Sequence, residues 1–143
     1  MRHNVRPRML AVATALFAVM ACGGGSDTTA PPGADAAVGV YTLVTINGQP
    51  MPVIVQGSGN DKIEVTGGAV TLKQDRTFSD ITNARITAAG SATSESDTVS
   101  GTWTRQANTV QFAATGFMAY SMTWDGSNRL TQSFQGFTLI YLK

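Results

Sequence analysis

The chain has 143 residues, ten Lys and Arg against nine Asp and Glu, one histidine and one cysteine. That length holds one small domain with one core. A single cysteine excludes an internal disulfide, and the formal charge of +1 gives no electrostatic footprint for nucleic acid.

Residues 1–21 read as a secretory leader. Arg2, Arg6 and Arg8 make a positive start, and residues 9–21 are uncharged and apolar. That run is shorter than the roughly 20 apolar residues a membrane-spanning helix needs, so a cleavable signal is expected. It ends in Val19-Met20-Ala21-Cys22, which resembles the lipobox of bacterial lipoproteins. The resemblance implies cleavage before Cys22, a diacylglyceryl group on its sulfur and an acylated new amino terminus. Two or more acyl chains anchor a protein stably, at about 0.8 kcal/mol for each buried methylene. The competing reading is an ordinary secreted protein with an unpaired thiol, a liability in an oxidising compartment.

Cleavage would remove three arginines and the only histidine, leaving seven basic against nine acidic side chains, a balance of −2. Residues 22–37, rich in Gly, Ser, Thr, Ala and Pro, read as the lipidated cysteine and a flexible tether. By analogy with enterobacterial lipoproteins, Gly23 after the anchor implies export to the outer membrane. The expected location is the bacterial cell envelope, on its periplasmic or surface face.

Residues 38–143 show alternation and turn chemistry rather than a helical period. Residues 38–46 form a first strand with Tyr41 and Leu43 on one face and Val40, Val44 and Ile46 on the other. Asn47-Gly48 is a hairpin turn signal. Residues 51–55 follow as an edge or lid, because Pro50 and Pro52 cannot donate to a ladder. Residues 62–74 make a strand bent or bulged at Gly67-Gly68, and residues 77–88 a strand with a broken apolar pattern (Phe78, Ile81, Ile86). Residues 89–97, small and polar, read as the longest loop. A meander closes the chain: residues 98–105 with Val99, Gly101 and Trp103 on one face, 109–115 with Val110, Phe112 and Ala114, and then 118–124, 129–134 and 137–142. About eight short strands joined by tight turns predict an all-β, antiparallel up-and-down barrel.

Three stretches carry a resemblance: residues 41–52 (YTLVTINGQPMP), Gly101-Thr102-Trp103 and the closing residues 137–141 (FTLIY). Together they are similar to lipocalin-like domains of small bacterial lipoproteins, in which a strand ending Asn-Gly-x-Pro opens the barrel and an apolar strand closes it. Gly39-Val40-Tyr41 stands where lipocalins carry Gly-x-Trp.

Without a histidine in the mature chain or a free thiol, Ser-His and Cys-His catalysis and the usual zinc, copper and haem ligand sets are missing. Carboxylate pairs adjacent in sequence (Asp75 with Asp80, Glu95 with Asp97) are the remaining acid–base candidates. Asn60, Asp61 and Glu64 lie in a loop of calcium-binding composition but not EF-hand spacing, so a polar turn is the favoured reading. No enzyme activity, cofactor or metal is assigned. Met118, Tyr120, Met122 and Trp124 fall at every second position, with Trp103 and Phe112 on neighbouring strands. Turned inward, these six would line an adaptable apolar pocket or fill the barrel. The expected function is binding of a small apolar or amphipathic ligand by a membrane-anchored barrel. The alternative is a non-catalytic interaction or envelope-structural module with a filled barrel and a protein partner of unstated identity.

Overall fold

Residues 35–143 are described by a computed structural model. The leader, Cys22 and the tether through residue 34 lie outside the described residues. Ten strands follow in order: β1 (Gly39–Ile46), β2 (Gln49–Pro50), β3 (Val53–Ser58), β4 (Asp61–Leu72), β5 (Thr77–Ala88), β6 (Ser91–Gln106), β7 (Thr109–Ala114), β8 (Tyr120–Trp124), β9 (Arg129–Phe134) and β10 (Phe137–Leu142). From β4 to β10 each strand pairs antiparallel with the next, and β10 pairs with β1. β1 also pairs with β4, from Gly39↔Leu72 to Thr42↔Ala69. This last ladder closes eight strands into the expected up-and-down barrel and leaves only the short strands β2 and β3 at the ends of the sheet order.

Where β1 parts from β4, β2 and β3 fill the splay outside the closed ring. The turn between β1 and β2 is Asn47-Gly48, with φ of 50° and 77°, the two positive angles a type I′ turn requires. Asn47 also ties this corner to β10, accepting the Thr138 amide on its side-chain oxygen at 2.7 Å. β3 then pairs with the outer half of β4 as the last strand of the sheet order, with Met51, Val53 and Val55 packed against the core.

The core is the inner face of the ring. Trp103, Tyr41, Tyr141 and Phe112 are its largest fully buried side chains, joined by Val70, Leu72, Phe78, Val110, Met122, Trp124 and Leu130. Two sequence expectations change here. Ile46 joins Tyr41 and Leu43 inside, because a bulge at Val44 shifts the register between Leu43 and Thr45 and reverses the alternation beyond it. Val40, on the outer face, is 55% exposed. Residues 89–97 are not a loop: Ala89-Gly90 is a tight turn with φ of 48° and 80°, and Ser91 runs straight into a 16-residue strand. β5 and β6 pair without a break from Ala88↔Ser91 to Thr77↔Thr102. The outer half of this hairpin projects beyond the ring with both faces of β6 in solvent, so no apolar residue marks it. Its tip is held by the β3–β4 turn, where Asp61 accepts the Ala89 amide at 2.8 Å. The expected irregularity in β4 is a bulge at Thr66, just before Gly67-Gly68.

One end of the ring is shut by residues 35–38, so the packed domain takes in the end of the expected tether. Ala37 is fully buried, and Tyr41 donates its hydroxyl to the Ala37 carbonyl at 2.8 Å. The Asp35 carboxylate receives Arg76 at 3.0 Å and Arg105 at 2.9 Å, which come from the β4–β5 turn and the end of β6. These guanidiniums in turn cover the indoles of Trp103 and Trp124, at 4.5 and 4.9 Å from the ring centroids. Burial would raise the Asp35 pKa, but the Ala37 amide and both arginines outweigh it and hold the carboxyl below its ordinary value of 3.8.

Two outcomes test this packing. A depressed carboxyl contributes stability that is present above its unfolded pKa and lost as pH falls through the folded one. Asp35→Asn should therefore lower the urea midpoint at pH 7, and by progressively less as pH falls below the carboxyl's ordinary value of 3.8. At Gly101 an added Cβ would meet the Ala113 carbonyl across the ladder, so Gly101→Ala should cost about 1–3 kcal/mol in the same unfolding measurement.

Candidate ligand-binding site

Alternation along β5 sends Phe78 inward, and with it Asp80 and Thr82 two and four residues on, while Ile81 faces out. Phe78 packs edge-on against Phe112 at 4.8 Å, and Phe112 stacks on Tyr120 at 4.7 Å and 7°. These three rings, on β5, β7 and β8, form a floor across the barrel. Below it, toward the Asp35 end, the interior is solid with side chains. Above it the strands open into a cleft of about 560 Å³.

The cleft walls are mostly apolar: Val99 of β6, Phe134 of β9, Leu139 and Tyr141 of β10, and Phe117 and Met118 of the β7–β8 loop. Thr82 and Gln132 add neutral polar groups, and Asp80 is the one charged side chain among the described lining residues. The Tyr120 hydroxyl donates to Asp80 Oδ2 at 2.9 Å. Asp80 Oδ1 is shut off from solvent and has no hydrogen-bond partner among the described residues. Burial raises the Asp80 pKa above its ordinary value, with the Tyr120 bond acting in the opposite sense. Burial also pushes the Tyr120 and Tyr141 hydroxyls upward, and the nearby Asp80 charge adds to it in both. Both phenols are therefore neutral at physiological pH.

The six pocket candidates separate by height in the barrel. Tyr120 and Met118 line the cleft. Phe112 belongs to its floor, and Trp103, Met122 and Trp124 are buried in the filled part of the barrel. Trp103 is fixed there by donating Nε1 to the Lys73 carbonyl at 3.0 Å. The every-second-residue stripe does not extend to Met118: β8 begins at Tyr120, and Met118 stands in the preceding loop, 89% exposed at the rim. Asp80, Leu139 and Tyr141 were not among the sequence candidates for the pocket. Counting by twos from Phe78 would have found an acid at an inward position.

The other acidic candidates are occupied or dispersed. Asp75 accepts the amide and hydroxyl of Thr77 at 2.9 and 2.6 Å in the turn before β5, while Asp80 points into the barrel. Glu95 and Asp97 lie exposed on the outer half of β6. Asp61 serves the hairpin tip, and Glu64 pairs with Lys62 at 3.1 Å. Among the described residues no three metal-ligating side chains come together. The chain matches no protein-family model, no curated protein and no solved structure.

A carboxyl with a raised folded pKa carries no penalty when protonated in both states, at low pH. It destabilises the fold increasingly as pH rises from the unfolded pKa through the folded one. Asp80→Asn keeps an acceptor for Tyr120 and removes that penalty. The variant should match the parent near pH 3.5 and exceed it in urea midpoint at pH 7.

Proposed function

We propose that this protein is a lipid-anchored envelope lipoprotein whose barrel holds a small apolar or amphipathic ligand at its open end. One observation carries the binding half of this reading: the cleft of about 560 Å³, with apolar walls and a few converging polar groups. That volume and lining fall in the range of small-molecule sites, commonly found in the mouths of barrels. The anchoring half rests on the three-arginine leader and the Val19-Met20-Ala21-Cys22 cleavage signature. A lipocalin-like family membership is part of the same proposal, supported by the short motifs at residues 41–52, 101–103 and 137–141.

A non-catalytic interaction module is the second reading. The solid lower barrel favours it, as do Phe117, Met118 and Phe134, which are all exposed at the rim.

Purified full-length protein titrated with the neutral fluorophore N-phenyl-1-naphthylamine should show saturable binding of one probe per chain. Leu139→Trp, which fills the cleft from β10, should weaken that binding at least tenfold with an unchanged circular-dichroism spectrum. Absence of binding by this probe and by a lipid and metabolite panel contradicts the ligand reading. For the anchor, metabolic labelling with palmitate should mark the protein, and Cys22→Ala should abolish the label and release the protein from the membrane fraction.

A further inference from the structure

We propose that the cleft selects an amphiphile bearing a protonated amine, held by the Asp80 carboxylate beneath an apolar body; this rests on the cleft being a ligand site. The proposal follows from one unsatisfied group. Asp80 sits partway down an apolar cleft, one oxygen taken by Tyr120 at 2.9 Å and the other without any partner among the described residues. A buried acceptor left unpaired is costly, and a charged one more so. Among the described residues no Lys or Arg lines the cleft, so an incoming cation would meet no competing pair there.

The geometry suits an ammonium better than the alternatives. A carboxylate's torsion about χ2 is broad and two-fold, and turning it moves both oxygens together, so Asp80 can present an oxygen to the opening as an incoming donor takes over from the Tyr120 hydroxyl. An ammonium supplies three donors: one for that oxygen, the others for Thr82 and Gln132 on the same walls. The titratable groups around Asp80 are Tyr120 from β8 and Tyr141 from β10, which stay neutral and add no repulsion to a cation. An anionic amphiphile would bring a second negative charge beside a buried carboxylate. A neutral alcohol would satisfy the acceptor without the charge pairing. Above the head group, Val99, Phe134 and Leu139 provide the apolar contact.

Isothermal titration of the full-length protein with three probes sharing one ring system tests this at pH 7. 1-Naphthylmethylamine should bind tighter than 1-naphthalenemethanol, because both can donate to the carboxylate but only the ammonium adds a charge pair. 1-Naphthoate should bind weakest. Asp80→Asn should abolish the advantage of the amine over the alcohol. Alcohol binding equal to or tighter than amine binding overturns the amine assignment while leaving the cleft a ligand site. So does an amine preference that survives Asp80→Asn. Failure of all three probes overturns the amine assignment, and the ligand reading falls with it when N-phenyl-1-naphthylamine and the lipid and metabolite panel also fail to bind. The wild-type ranking requires no variant, so it decides the matter even if Asp80→Asn folds poorly.

Discussion

Everything in this fold depends on one short ladder, the pairing of the first half of β1 with the last third of β4. Four residue pairs turn a sheet with two edges into a ring of eight strands. An eight-stranded ring is only wide enough for its own side chains or one small ligand. The interior therefore divides into a packed length and an open length, and the position of the boundary decides what the protein can do. Here the boundary is the layer of Phe78, Phe112 and Tyr120.

The same ladder explains why the two ends differ. At the end where β1 and β4 are paired, the chain before β1 folds across the ring and Asp35 gathers one arginine from the β4–β5 turn and one from the end of β6. At the opposite end β1 stays paired with β10 but has parted from β4, β2 and β3 occupy the gap, and the β5–β6 hairpin extends past the rim. The cleft opens there. The residue at which the tether joins the barrel is thus at the far end from the cleft mouth.

Much of the fold was legible because strand alternation and turn chemistry are local. Asn47-Gly48 marks its own turn, and Val110-x-Phe112 and Met122-x-Trp124 point the way they read. The failures have specific physical causes. A bulge at Val44 adds one residue and reverses every later side chain of its strand, which no periodicity count anticipates. The outer half of β6 buries nothing, so this Ser- and Thr-rich strand looks like a loop although Thr favours extended backbone. Met118 continues a sequence stripe across a boundary where the strand has not yet begun. The cleft itself was the hardest feature to read. Its key group, Asp80, matters because of a burial and an unmatched oxygen that exist only after five other strands have closed around it.

The most direct test of a ligand site at the open end is an amide chemical-shift map of the protein titrated with N-phenyl-1-naphthylamine. The account predicts perturbations concentrated at Thr82, Val99, Ala119 and Leu139, with the amides of Ala37, Lys73 and Arg105 at the shut end unmoved. Shifts spread over the outer face of the ring, or centred on the Asp35 end, would contradict it.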